Sequence, residues 1–215
     1  IDIKTLPCRI KQIDRFSENL ISVTLRLPPT SNFKFLEGQY IDIIGPNSLR
    51  RSYSIASTSE QKEVVLFIKR FENGEMSDYW FNDAQKNDLL RMEGPKGTFF
   101  LRENHNDLLL LATGTGISPI HSILSALDEA PDNVQQGKIS LYWGNRYPEE
   151  FFWKPNFKNI KVDVNYVLSR DSNAWHHHKG YVQHIALNDK HDFTTTTVYA
   201  CGSNLMIKSA HQDFI

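Results

Sequence analysis

Residues Leu108 to Pro119 constrain this chain more than any other stretch. Leu108-Leu109-Leu110-Leu111-Ala112 is an unbroken apolar run, which fits a strand covered on both faces, as in a parallel sheet. Gly114 and Gly116 follow, and without a Cβ they let the backbone turn tightly and approach a ligand. Ser118, or Thr115 before it, is placed to cap a helix starting near Pro119, a residue suited to a first helical turn. A strand, a glycine turn and a helix N-terminus together make an anion site, because free N–H groups point out of the turn; a pyrophosphate is the usual occupant. The third glycine of G-x-G-x-x-G is absent, with Pro119 in its place, so the segment alone also suits an α/β turn that binds nothing.

With 215 residues, the chain has room for one large domain or two small ones. Its 24 Lys and Arg against 25 Asp and Glu leave a net charge of −1, which argues against a nucleic-acid or anionic-membrane partner. No apolar stretch approaches a membrane span and no signal-peptide pattern is visible, so neither membrane nor export is indicated. Cys8 and Cys201 lie far apart, form no metal-ligand pattern and need no oxidising compartment; the cytoplasm is the expected location. The chain opens on Ile1 rather than Met, which leads us to expect a piece of something longer.

The first half reads as β. Ile21, Val23, Leu25 and Leu27 alternate with Ser22, Thr24 and Arg26, the period of a half-buried strand, and Pro28-Pro29 stops it. Tyr40 to Ile44, Ser52 to Ala56 and Val64 to Ile68 are further short strands between turn-forming stretches, a pattern that predicts an antiparallel barrel or sandwich. One helix interrupts it, Ser77 to Asp83, opened by Asn73-Gly74. After Gly97 the order becomes α/β. Strands at Leu108 to Ala112, Ile139 to Trp143, Val162 to Leu168 and Thr197 to Ala200 alternate with helical patterns at Pro119 to Glu129, Glu149 to Trp153 and Tyr181 to Leu187. Such order implies a parallel sheet with right-handed crossovers. The polar stretch 102–106 marks the boundary, giving a first domain over 1–101 and a second over 102–215. A last helix from Asn204 runs to Ile215, and a C-terminal segment is expected to be missing.

Three groups of residues carry candidate chemistry. Arg50-Arg51-Ser52-Tyr53-Ser54 reads either as a solvated edge strand or as a ligand strand. In the second reading Arg51 pairs with a phosphate, Tyr53 lays its ring on a flat ligand and Ser54 offers a hydroxyl to a ring nitrogen. Alternation puts Arg51, Tyr53 and Ile55 on one face and Ser52 and Ser54 on the other, so convergence needs a main-chain contact or a twist. Asn73-Gly74-Glu75-Met76-Ser77 is an ordinary turn with Ser77 as N-cap, or a second helix N-terminus aimed at a pyrophosphate. Cys201 ends a strand, either as a small buried residue or where ligands of α/β sheets collect. The run His176-His177-His178 does not make a metal site, since adjacent histidines on a polar loop point apart and lack partner carboxylates.

Six motifs then occur in register. They are Arg51-x-Tyr53-Ser54, Gly74-x-Met76-Ser77, Gly94-Pro95-x-Gly97-x-Phe99, Gly114-Thr115-Gly116-Ile117-x-Pro119, Tyr142-Trp143-Gly144-x-Arg146 and Tyr199-Ala200-Cys201-Gly202-x3-Met206. With these the chain resembles the ferredoxin–NADP reductase superfamily over nearly its whole length, and in particular NADH-dependent reductase components that feed oxygenases or dehydrases. Residues Thr5 to Ile10 resemble the linker that follows a plant-type [2Fe–2S] domain in several of them. Within the superfamily the chain looks most similar to the CDP-6-deoxy-glucoseen reductases of dideoxysugar synthesis.

The resemblance implies an FAD-binding antiparallel β-barrel followed by an NAD(P)-binding α/β domain, and an FAD-dependent oxidoreductase taking hydride from NADH, with NADPH left open. It implies that Arg51 binds the FAD pyrophosphate, Tyr53 packs on the flavin and ribityl, and Ser54 hydrogen-bonds flavin N5. Ile68 and Lys69 would touch the flavin or ribityl chain, and Gly74, Met76 and Ser77 would hold the pyrophosphate. In the second domain Gly114, Thr115 and Gly116 would shape the nicotinamide–pyrophosphate turn. Arg146, Ser169 and Arg170 would lie near the adenosine half, and Cys201 and Gly202 would face the nicotinamide. Ser54 and Cys201 are thus the expected catalytic residues. The implied electron acceptor is a [2Fe–2S] centre on a domain outside this chain or a partner protein. A plant-type cluster needs four cysteines and this chain has two. A free-flavin reductase and a flavin-binding electron-transfer subunit that uses no nicotinamide are the alternatives.

Overall fold

The computed structural model describes residues 1–102, 106–129, 137–170 and 174–214. Glu103, Asn104 and His105 of the polar boundary stretch, and the terminal Ile215, lie outside the described residues. The chain divides into two compact units, Ile1–Leu101 with His121–Ala126, and Arg102–Ile120 with Leu127–Ile215.

The first unit is a six-stranded antiparallel sheet built from β1 (Lys4–Ser17), β2 (Leu20–Arg26), β3 (Tyr40–Ile44), β4 (Arg50–Ser54), β5 (Glu63–Lys69) and β6 (Leu89–Lys96), in the order β4-β3-β6-β1-β2-β5. An antiparallel bridge between Ile55 and Leu66, with Ala56 N–H donating to Val65 O at 2.8 Å, joins the continuation of β4 to β5 and curls the sheet towards a barrel. Ile10, Ile21, Leu25, Ile41, Leu66 and Met92 fill its interior, all fully shielded from solvent. Each such side chain contributes roughly 1.5–3 kcal/mol through burial.

The strands expected near 21–27, 40–44, 52–56 and 64–68 are present, but alternation does not reveal β1 or β6, the central pair. The reason is visible in β1. Of its 14 residues only Cys8 and Ile10 are buried, and two register shifts, at Ile10/Gln12 and Arg15/Ser17, break the two-residue period. The short helix also differs from expectation: α1 (Glu75–Asp78) starts two residues before Ser77, has Gly74 as its N-cap, and continues as a π turn over Tyr79–Asp83.

The second unit holds five parallel strands, β7 (Asp107–Thr113), β8 (Ile139–Asn145), β9 (Val162–Leu168), β10 (His178–Lys179) and β11 (Thr196–Cys201), in the order β10-β9-β8-β7-β11. Helices α2 (Ile117–Glu129), α3 (Val182–Asn188) and α4 (Asn204–Phe214) intervene or follow. Leu108 to Ala112 of β7 are at most 1% exposed, as a strand covered on both faces requires. Leu109 and Leu111 pack with Val182 and Ala186 of α3 and Met206 and Ala210 of α4.

Two expectations fail here. No helix forms over Glu149 to Trp153: a single 3-10 turn at Pro148–Glu150 gives way to irregular chain, in which Phe151, Phe152 and Trp153 close on the Trp143 ring at 5.2, 5.3 and 6.2 Å between centroids. Ser118 is not a cap either, nor does Thr115 supply one. A 3-10 turn over Gly114–Gly116 runs straight into α2, with no side-chain cap, and Ser118 Oγ donates back to Thr115 O at 2.8 Å from inside the helix. Among the described residues, no helix is long and apolar enough to cross a membrane.

Candidate functional site

In the first unit, β4 sets Arg51 opposite Ile43 and Tyr53 opposite Ile41. Arg51 is exposed, and its Nη1 donates to the carbonyl of Arg50 at 2.7 Å, leaving most of its donor fork directed to solvent or a ligand. Tyr53 is partly buried. Its hydroxyl accepts a 2.9 Å bond from the indole of Trp80, and the rings meet edge to face at 6.2 Å. Burial pushes the Tyr53 phenol up to about 12, so the ring stays neutral. Trp80 follows α1, so this bond brings the Arg51-x-Tyr53-Ser54 strand and the Gly74 turn together, which nothing in the sequence signals.

At that turn Asn73 adopts φ 58°, Gly74 N–H donates to Phe71 O at 3.2 Å, and Ser77 Oγ accepts from Phe71 N–H at 3.0 Å. Ser77 is therefore inside the helix, its hydroxyl already used. Met76 is a core residue whose sulfur lies beneath Gly45, 3.0 Å from where a Cβ would sit there. What Met76 and Ser77 have for an anion is main chain, since the first N–H groups of a helix lack intrahelical acceptors, whereas the Gly74 N–H is taken by Phe71 O. Ile68 is likewise core, with Lys69 next to it at the end of β5 and Ser54 at the end of β4, both partly exposed.

On the other face of β4, Arg50 joins three charged residues that the sequence did not mark, Asp42 on β3 and Glu93 and Lys96 on β6. Asp42, 7% exposed, accepts from Ser52 Oγ at 2.6 Å, Lys96 Nζ at 2.7 Å and Arg50 Nη1 at 3.2 Å. Glu93 accepts a forked pair from Arg50 at 2.9 and 3.2 Å and a further bond from Lys96. Burial opposes ionisation of Asp42, but the bonds from Lys96, Ser52 and Arg50 hold it below the usual carboxylate range. The same partners, Arg50 first, hold Glu93 at about 2.

In the second unit the strand order reverses at β7, so its carboxyl end is the topological switch point where open α/β sheets bind ligands. Gly114 sits there with φ 55°, and a Cβ on it would meet nothing within 4 Å: the turn is open on that side. Its carbonyl accepts a 3.0 Å bond from the buried Trp143 indole, which fixes the turn from below. Gly116 is the opposite case, since a Cβ there would fall 2.3 Å from Cys201 O. Gly202, at φ 151°, leaves 2.0 Å to Thr113 Oγ1, which in turn accepts from Ser203 N–H at 2.9 Å. The turn after β7 and the turn after β11 are thus in contact, with Thr115 in the first and Cys201 and Gly202 in the second. Burial pushes the Cys201 thiol up to about 11, so it is neutral at pH 7.

Arg146, Ser169 and Arg170 gather at the neighbouring ends of β8 and β9. Ser169 donates N–H and Oγ to Asn145 O at 2.9 and 3.2 Å, and Arg170 donates to the Tyr147 hydroxyl at 2.8 Å with its guanidinium 5.3 Å from that ring. The Arg146 side chain is exposed, while Asn145 beside it is 5% exposed with Nδ2 unpartnered. The histidine run does not converge: His177 packs against Tyr166 and Trp175, and His178 Nε2 meets Asn165 Oδ1 at 3.1 Å.

These features fit two dinucleotide ligands, an exposed arginine beside a helix start in one unit and an open glycine turn at a switch point in the other. Comparison with known proteins agrees. Residues 7–101 match the oxidoreductase FAD-binding domain family and residues 110–212 the oxidoreductase NAD-binding domain family. This chain belongs to the ferredoxin–NADP reductase superfamily. It is 38% identical, over its full length, to the CDP-6-deoxy-L-threo-D-glycero-4-hexulose-3-dehydrase reductase of Yersinia pestis, and 35% identical over 99% of its length to protein RfbI of Salmonella typhimurium. It spans 66% and 64% of the length of those two relatives. Its fold matches the cytochrome P450 reductase GcoB of Amycolatopsis with a TM-score of 0.85 at 21% identity, over 99% of this chain and 66% of that one. As a superfamily member the chain has an FAD-binding and an NAD-binding part, the first antiparallel and barrel-like, the second a parallel sheet with helices.

Proposed function

We propose that this chain is the flavoprotein part of an NADH-dependent reductase, which takes hydride from the dinucleotide and sends electrons to a partner protein. The open Gly114 turn at the switch point, in a chain whose first half matches an FAD-binding family, carries this reading. Bound FAD supplies the chemistry, accepting a hydride and releasing its electrons singly. The chain binds and orients. Arg51 neutralises the flavin-side pyrophosphate, with the N–H groups of Met76 and Ser77 as further donors and Gly74, whose own N–H is bonded to Phe71 O, shaping the turn. Tyr53, held by Trp80, gives the flavin and ribityl a rigid flat surface, beside the main chain of Ile68 and Lys69, and Ser54 supplies a hydroxyl to flavin N5.

On the dinucleotide side Gly114, Thr115 and Gly116 admit the pyrophosphate. Cys201 and Gly202 position the nicotinamide, and Arg146, Ser169 and Arg170 meet the adenosine half. Cys201 works as a small neutral side chain, not as a nucleophile. The likeness to NADH-linked reductase components favours NADH over NADPH. The electron acceptor is a [2Fe–2S] centre outside these residues, and the dehydrase named in the Yersinia relative makes deoxysugar synthesis the leading setting.

A visible spectrum of the purified protein tests the reading. Bound yellow flavin should bleach on anaerobic addition of NADH, and more slowly with NADPH. Flavin that bleaches but separates on gel filtration supports a free-flavin reductase instead. Flavin that resists both dinucleotides removes the nicotinamide from the proposal.

A further inference from the structure

We propose that Asp42, Arg50 and Ser52 are positioning residues for FAD: they pin the register of β4 and thereby hold Arg51 and Tyr53 towards the ligand. This rests on the assignment of FAD to the Arg51-x-Tyr53-Ser54 strand.

β4 is only five residues long and is paired along that length with β3 alone, reaching β5 only through its continuation at Ile55 and Ala56. A slip of one residue would turn Arg51 and Tyr53 to the face now held by Arg50 and Ser52. The side chains on that face resist such a slip. Ser52 stands directly opposite Asp42 and donates to it at 2.6 Å, which is possible only in the observed register. Arg50 reaches past β3 to Glu93 on β6 through a two-bond fork and also touches Asp42, while Lys96 of β6 closes the set on both carboxylates. Three strands are tied by one group of side chains.

Two cations and two carboxylates make the group electrically neutral, so it adds no long-range pull on a diphosphate; its effect is geometric. The link to the ligand residue is direct, because the Arg51 guanidinium donates to the carbonyl of Arg50, the residue that anchors the strand. An exposed ion pair of this kind contributes little by itself. Asp42 differs in being buried, with both carboxylate oxygens engaged.

A double-mutant cycle on FAD affinity tests the proposal, with titration of the flavin-free protein monitored by flavin fluorescence. Arg51→Ala should weaken binding roughly ten- to a hundredfold and Asp42→Ala roughly tenfold. The double variant should lose less than the product of the two single losses, because Asp42 acts in part through Arg51. Additive losses would overturn the proposal, as would a wild-type dissociation constant for Asp42→Ala. If Asp42→Ala does not fold, the exposed Ser52 serves: Ser52→Ala should lose affinity and couple to Arg51→Ala, and Ser52→Thr should restore it. Equal affinity for Ser52→Ala and Ser52→Thr would count against the idea. Should the unaltered protein bind no FAD, the site assignment itself fails, an outcome distinct from all of these.

Discussion

The two units hold the groups proposed to meet their ligands by opposite means. In the first, the proposed group is a charged side chain on a short strand whose opposite face is bonded to neighbouring strands. In the second, glycines let main chain approach main chain and leave one turn open, with Trp143 and Thr113 fixing the turns. Sensitivity to mutation should differ accordingly: loss of charge should dominate in the first unit, and gain of volume in the second.

The largest expected effect is in the second unit. Gly116→Ala would force a methyl to 2.3 Å from Cys201 O, main chain that cannot yield as a side chain would. Overpacking of this sort costs about 3 kcal/mol or more, to be read as a fall in thermal unfolding temperature. Gly114→Ala, two residues away in open space, should cost only about 1–2 kcal/mol for its left-handed backbone. Equal losses at the two positions would break the contrast. Next is Arg51→Ala in the first unit, with a loss of roughly 1.5–3 kcal/mol in FAD binding and none in fold. An unchanged dissociation constant would take Arg51 out of the site.

Cys201→Ala should come third. It removes a sulfur without adding volume, and a small loss of nicotinamide alignment slows reaction on the order of tenfold. Anaerobic stopped-flow reduction by NADH isolates that step, and a wild-type rate would reduce Cys201 to packing. The smallest effect concerns pH. The Glu93 carboxyl is held at about 2 in the folded chain against an ordinary 4.5, so its contribution to stability is complete above 4.5 and is lost as pH falls towards 2. Wild type and Glu93→Gln should therefore differ in unfolding temperature at pH 7 and converge at low pH. A difference that persists near pH 2 would show that the charge is not its source.

How much could be read in advance follows from where each signal resides. Leu108 to Ala112 announced a strand buried on both faces because covering both faces demands an unbroken apolar run. Gly114 and Gly116 announced a turn because tight turns need glycine. β1 stayed hidden because a strand with a mostly polar, twice-bulged sequence carries no two-residue period. The aromatic residues 151–153 resembled a helix, yet they serve Trp143, a tertiary demand that local sequence does not express. The Asp42–Arg50–Glu93–Lys96 group was illegible for the same reason, since its members are 54 positions apart at the extreme and meet only once β3, β4 and β6 pair. Arg51 and Tyr53 were recognisable through motif spacing, while the Trp80 indole that fixes Tyr53 had no sequence mark at all.

The pairing of β1 with β6 also dictates an order of events during synthesis. Lys4 to Arg9 find their partners only at Gly94 to Leu89, so the central ladder of the first unit joins its first strand to its last. A chain emerging from the ribosome can form the β1–β2 hairpin early, but it must wait for residue 96 before that hairpin gains its second neighbour and the core closes. Until then the Lys4–Arg9 edge of β1 remains unpaired, whereas β2 already has β5. Long-range closure of this kind slows folding and lengthens the exposure of strand edges. Nascent chains halted before β6 should be protease-sensitive across Lys4–Arg9, and chains carried past it should be protected there.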